Sequence, residues 1–216
     1  GKSVGVEQRL EKNSLFDKIA GKKLRFGIEK GAASAIGLYK LLYNYADKGN
    51  VLVLDDCDTV LYDETSLNLL KAALDSSKKR RLSWNTDSNL LRREGIPDSF
   101  EFKGSVIFIT NLRFDKIRGK IKDHLDAIMS RCHYLDLTMD TMREKMLRVK
   151  QIVADGMLEE YKFTGQEQQE IVDFMMDNQT RLREVSLRMC TKIADLKQSQ
   201  SDKWQRMAEV TCMLRK

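Results

Sequence analysis

The sequence is poor in the residues that break, staple or anchor a chain. Proline occurs once, at Pro97, so no proline-rich linker is present. The four cysteines, Cys57, Cys132, Cys190 and Cys212, lie far apart without a C-x-x-C pair, and only two histidines accompany them. This argues against a zinc site and for free thiols. Long apolar runs are also missing. The longest strand-like ones, Val51–Leu54 and Val106–Ile109, fall far short of the ~20 residues of a membrane helix. No stretch reads as a signal or transit peptide, and a cytoplasmic protein is expected.

What remains is an ordinary globular composition. The 216 residues are 42% apolar and 32% charged, which excludes a disordered tail. A chain of this size buries roughly 70% of its unfolded surface and can build a core unaided. Lys plus Arg exceed Asp plus Glu by 38 to 32, giving +6. That charge suits nucleic acid and equally suits a mixed solvated surface.

Composition changes near residue 138. Ten of the 12 glycines and the proline precede it, and nine of the 10 methionines follow it. The first part carries strand signals at Leu24–Ile28, Val51–Leu54, Val106–Thr110 and Tyr134–Leu137. Helical stretches near Ser34–Ala46, Thr65–Leu74 and Lys120–Met129 separate them. Continuous apolar runs suit strands covered on both faces, so the alternation predicts an α/β fold with a parallel sheet. The second part has helical period throughout. Met142, Met146, Val149 and Val153 form one stripe, and Leu182, Val185, Met189, Ile193 and Leu196 another. Phe174 belongs to a third helix, and Trp204, Met207 and Thr211 to a fourth. A small helical bundle is expected, with methionines as core fillers. The expected domains are therefore 1–137 and 138–216.

Chemistry gathers at a few points. Val51-Leu52-Val53-Leu54 runs into Asp55 and Asp56, two carboxylates at a buried strand's end. There one can hold Mg²⁺, and the next can orient a water for attack on phosphate. Gly1-Lys2-Ser3 matches the end of G-x-x-x-x-G-K-[ST], with Val4–Leu10 as the following helix. A second apolar strand, Val106–Ile109, ends in Thr110 and Asn111, whose amide could align a water. Arg131 stands just before the last strand signal, as a helix-end cap or as a residue projecting to a neighbouring subunit. Arg181 and Arg183 fall at the predicted start of the bundle's third helix, against the dipole preference, which hints at a phosphate partner.

In this order and spacing the parts resemble the AAA+ ATPase family over nearly the whole chain. The resemblance implies a P-loop parallel-sheet core, a small helical lid, ATP and Mg²⁺. It assigns Gly1, Lys2 and Ser3 to Walker A, with Ser3 and Asp55 at the metal. Asp55 and Asp56 match Walker B, with Asp56 polarising the attacking water. Asn111 matches sensor 1, Arg131 an arginine finger acting in trans, and Arg183 sensor 2, for which Arg181 competes. An oligomeric ring or filament is implied, a motor or remodeller acting on DNA or a DNA-bound protein, without a membrane partner. The resemblance extends to ATPases of tailed phages, and so to a bacterial or phage-infected cytoplasm.

Three departures bear on this. The upstream half of Walker A and its preceding strand are absent, so a piece of a longer chain is expected. Asp56 stands where Glu is usual, one bond shorter. This keeps open a non-hydrolysing nucleotide-binding assembly subunit. Lys30–Leu38 holds no aromatic–hydrophobic pair, which argues against polypeptide threading. Finally, Lys78–Arg81 is basic and is followed by Leu82, Trp84, Phe100 and Phe102. It lies where some AAA+ clades insert a hairpin. Together with basic Arg113–Lys122 it supports the remaining alternative, a nucleic-acid-binding adaptor.

Overall fold

Apolar runs that cannot tolerate water on either side become the middle and one edge of a parallel sheet. A computed structural model describes residues 1–214, the side chains of Phe16 and Lys120 excepted. The chain forms two compact units, one ending at Leu135 and one beginning at Asp136, two residues before the division expected from composition. The first unit carries the entire charge excess. Residues 1–135 hold 24 Lys and Arg against 18 Asp and Glu, and residues 136–216 hold 14 of each.

The first unit opens with helices α1 (Lys2–Asn13) and α2 (Leu15–Ile19). Strand β1 (Phe26–Lys30) starts two residues later than its sequence signal. Helix α3 (Ala35–Asn44) follows, its first turn closed by the Ser34 hydroxyl accepting from the Gly37 amide. Then come β2 (Val51–Asp55) and α4 (Glu64–Ala73), the latter capped by Asp63. A small antiparallel hairpin of β3 (Arg81–Ser83) and β4 (Ser99–Glu101) encloses α5 (Asn89–Arg93). Strand β5 (Ser105–Ile109) and α6 (Lys120–Met129) complete the unit.

The sheet order is β1-β2-β5, all parallel, with Lys30 level with Asp55 and Asp55 level with Ile109. Alternation along the strands sorts side chains onto two faces. Leu52 and Leu54 share one with Gly27, Glu29, Val106 and Phe108, and pack with Leu38, Tyr39 and Leu42 of α3 and Leu67 and Leu70 of α4. Gly27 leaves room there for the Tyr45 ring, which a Cβ would run into. Tyr39 is fully buried, donates to the Pro97 carbonyl at 2.9 Å, and has its phenol pushed up to about 12, by burial first and Asp98 second. Asp55 lies on the opposite face, where α1 turns Ser3, Val6, Glu7 and Leu10 inward yet buries none of its residues fully.

Tyr134–Leu137 is not a strand. Tyr134, Leu135 and Leu137 are exposed, in irregular chain. Among the described residues β5 pairs only with β2, so no ladder reaches this segment.

The second unit consists of α7 (Met142–Ile152), α8 (Gly165–Asp177), α9 (Leu187–Ser199) and α10 (Trp204–Cys212). Reciprocal caps, Thr141 with Glu144 and Thr164 with Glu167, start the first two. Met146, Val149, Ile171, Met175, Met189, Ile193 and Trp204 meet in its core. Met142 and Met207, expected on inward stripes, are exposed. In α10 the inward residues are instead Trp204, Ala208 and Cys212. Lys197 is buried, its ammonium 2.5 Å from Glu170 and over the Trp204 ring.

Arg181 and Arg183 do not begin a helix. Ser186 is the better cap, its hydroxyl accepting from the Met189 amide, and α9 starts after it. Residues 181–183 run antiparallel to 212–214: Leu182 bridges Met213, and the Arg183 amide donates to the Cys212 carbonyl. The supposed conflict with the helix dipole therefore vanishes.

Candidate functional site

The site forms at the carboxyl ends of β2 and β5, beside the first turn of α1. Five sequence-selected residues drawn from these elements meet by side-chain hydrogen bonds. The Ser3 hydroxyl donates to Asp55 Oδ1 at 2.8 Å. Lys2 Nζ donates to Asn111 Oδ1 at 2.8 Å and to the Thr110 carbonyl at 2.5 Å. The Asn111 amide donates in turn to Asp56 Oδ1 at 3.1 Å. Lys2, Asn111 and Asp56 thus form one chain, and Ser3 with Asp55 a parallel pair.

Each position follows from its element. Asp55 ends a strand whose preceding three residues are wholly buried, and is itself only 4% exposed. A carboxylate so buried needs compensation. It has the Ser3 hydroxyl and, 3.9 Å from its other oxygen, the ammonium of Lys30. Asp56 turns the chain out of the strand with φ 54°, in the left-handed region. Asp tolerates that region better than most residues, at a cost of about 1–2 kcal/mol. Its amide is fixed by the Ile109 carbonyl at 2.9 Å, so the turn is tied to the end of β5. Gly1, the N-cap of α1, contributes no side-chain cap, and α1 has no acidic residue in its first turn. A helix start with a lysine and no carboxylate in its first turn favours an anion.

Metal fit can be judged from donor chemistry. Ser3 and Asp55 offer hard oxygens, and Mg²⁺ takes one or two protein oxygens and leaves the rest to water and phosphate. Among the described residues no cluster of three or more His, Cys, Asp or Glu forms a self-sufficient cage. The pair therefore fits Mg²⁺ held together with a phosphate ligand.

Arg131 stands apart from this cluster. It donates to the Ala127 carbonyl at 2.6 Å and lies 4.0 Å from Asp75. Arg183 belongs to the helical unit, where its side chain donates to the Met213 carbonyl at 3.1 Å, and Arg181 donates to Asn178. Lys78 and Lys79 are exposed just before β3, whereas Arg80 is absorbed into structure through the Ala73 and Gly104 carbonyls and the Phe102 ring.

Two residues at the site, Lys30 and Asp58, carried no motif in the sequence. Lys30 bridges Asp55 and Glu7 of α1, each at 3.9 Å. Asp58 accepts from the Thr110 hydroxyl at 2.6 Å. Asp58 had one available signal, as the third acid of Asp55-Asp56-Cys57-Asp58. Cys57 between them is buried, and its thiol is pushed up by burial first and Glu29 next, so it reads as inert filler.

The chain is 37% identical over 212 residues to an uncharacterized 36.7 kDa protein in the nrdC-mobD intergenic region of Enterobacteria phage T4. The match covers 96% of this chain and 63% of that protein, so the chain spans less than two thirds of the relative's length. No family model matches the sequence, and no solved structure matches it.

Proposed function

We propose that this protein binds ATP with Mg²⁺ and hydrolyses it as a P-loop ATPase of AAA+ type, working as an oligomeric motor or remodeller. The observation that carries this is the Ser3–Asp55 hydrogen bond at 2.8 Å, with Lys2 beside it on the same helix turn. A hydroxyl and a buried acid meeting at an uncapped helix start is what a phosphate-bound Mg²⁺ requires.

Lys2 and the first amides of α1 hold the β- and γ-phosphates. Ser3 and Asp55 would hold Mg²⁺, which would neutralise charge on the phosphates. Asp56 accepts a hydrogen bond from the attacking water and Asn111 aligns it. The water oxygen bonds to the γ-phosphorus as the bond to the β–γ bridging oxygen breaks, and the water's proton leaves toward Asp56 or the phosphate. Arg131, outside its own cluster, stabilises the transferring phosphoryl group of a neighbouring subunit. A DNA or DNA-bound protein target agrees with the basic first unit. Among the described residues no helix is long and apolar enough to cross a membrane.

Steady-state ATP hydrolysis tests the reading, with and without DNA. Lys2→Ala and Asp56→Asn should each reduce turnover by ~10²-fold or more. Arg131→Ala should abolish turnover while ATP affinity stays close to the parent's. Equal loss of ATP binding in Arg131→Ala would remove its in-trans role. Tight ATP binding without turnover in the parent would favour the non-hydrolysing assembly subunit, with the short Asp56 as its cause.

A further inference from the structure

The Asn111 amide is held at its two ends by Lys2 and Asp56. The backbone that presents it is held by the residue before it. Thr110 leaves β5 with three polar contacts. Its carbonyl accepts from Lys2 Nζ, its hydroxyl accepts from the Leu112 amide at 2.9 Å, and the same hydroxyl donates to Asp58 Oδ1 at 2.6 Å. The bond from Leu112 back to Thr110 closes a tight turn with Asn111 at its apex. The orientation of that hydroxyl sets the turn, and Asp58 sets the hydroxyl.

Asp58 is well placed to do so. It opens the short 3-10 turn Asp58–Leu61, which follows β2 and is anchored by the buried Val60 and Leu61. It is thus fixed to the element that carries Asp55 and Asp56, and reaches across to the strand that carries Asn111. We infer that Asp58 is a positioning residue, which through the Thr110 hydroxyl holds the turn that presents Asn111 to Asp56 and Lys2. One of its carboxylate oxygens is engaged by the Thr110 hydroxyl. The catalytic consequence rests on the ATPase reading, but the positioning itself does not.

Two readouts on the whole 216-residue chain separate these. The first needs no nucleotide. The side-chain amide signals of Asn111, assigned by their loss in Asn111→Ser, are followed in ¹H–¹⁵N correlation spectra. Thr110→Val keeps the shape and deletes the hydroxyl, and should move or broaden those signals. Asp58→Ala should do the same, and Asp58→Asn, whose amide oxygen still accepts, should fall between Asp58→Ala and the parent. Signals unmoved in both Thr110→Val and Asp58→Ala would overturn the inference, even if denaturation midpoints fell, because the contact would then only pin two strand ends together. The second readout is hydrolysis. Thr110→Val should lower kcat by ~10-fold or more, since misplacement of about 1 Å is costly, with a smaller change in KM. If the parent neither binds nor hydrolyses ATP while the Asn111 signals respond as expected, the ATPase reading fails and the positioning role stands.

Discussion

The two faces of the β1-β2-β5 sheet are built for different ends. One face is a full core, in which Leu52 and Leu54 sink between α3 and α4 beside the wholly buried Tyr39. The other bears α1, none of whose residues is fully buried, over Asp55, a charge that few cores would accept. Stability is concentrated where the chemistry is absent. The thin face can afford a buried acid, a left-handed Asp56 and a lightly held helix because the thick face holds the strands in register. The lesson is one of allocation: strain and buried charge sit on the side least needed for folding.

The comparison breaks first, if it is wrong, at Leu54. Leu54→Ala should cost about 2–5 kcal/mol in denaturant unfolding, as buried Leu→Ala changes do. Its neighbour on the other face should behave in the opposite way. Asp55→Asn removes a buried charge and keeps the shape, so its unfolding midpoint should match or exceed the parent's while the proposed Mg²⁺-dependent ATP binding is lost. A collapse of stability in Asp55→Asn would show that the thin face carries the fold after all. Asp63 sharpens the contrast from the thick side. It caps α4 by accepting from the Ser66 hydroxyl at 2.6 Å and amide at 2.8 Å, and these bonds hold its carboxyl below the usual 3.8. A folded value below the unfolded one means the contribution is whole above pH 3.8 and fades as pH falls through the folded value. Asp63→Ala should cost about 1 kcal/mol at neutral pH, and less against the parent in acid, with turnover per folded molecule unchanged. The smallest effect is expected at Asp56. Asp56→Gly relieves the positive φ and should raise stability by up to about 1 kcal/mol while turnover disappears.

The site was more legible in the sequence than the fold around it. Asp55 and Asp56 stood out because an apolar run ending in two acids is a local pattern, and so is a strand running into Asn111. Lys2 and Ser3 needed only three adjacent letters. Lys30 and the Thr110–Asp58 pair escaped because their roles arise between elements about 25 and 52 residues apart in sequence. Tyr134–Leu137 misled for the same reason: strand residues make a strand only beside a partner. At Leu182 and Val185 the spacing fitted α9, yet both are buried outside it, Leu182 through its bridge to Met213. Apolar spacing reports burial, and an irregular segment can supply burial as well as a helix.

The register of β2 against β5 also decides which edits of the gene this protein survives. The chain between these strands leaves the sheet, builds the β3–β4 hairpin and returns, and the alignment of Asp55 with Ile109 does not depend on how long that excursion is. Codons added or lost in the hairpin loop should leave the Asp56–Asn111 distance untouched. One codon lost within Ser105–Ile109 would draw Asn111 back by about 3.3 Å and send its neighbours to the wrong face. Related sequences should therefore differ freely in hairpin length and hold the five residues of β5 to a constant count.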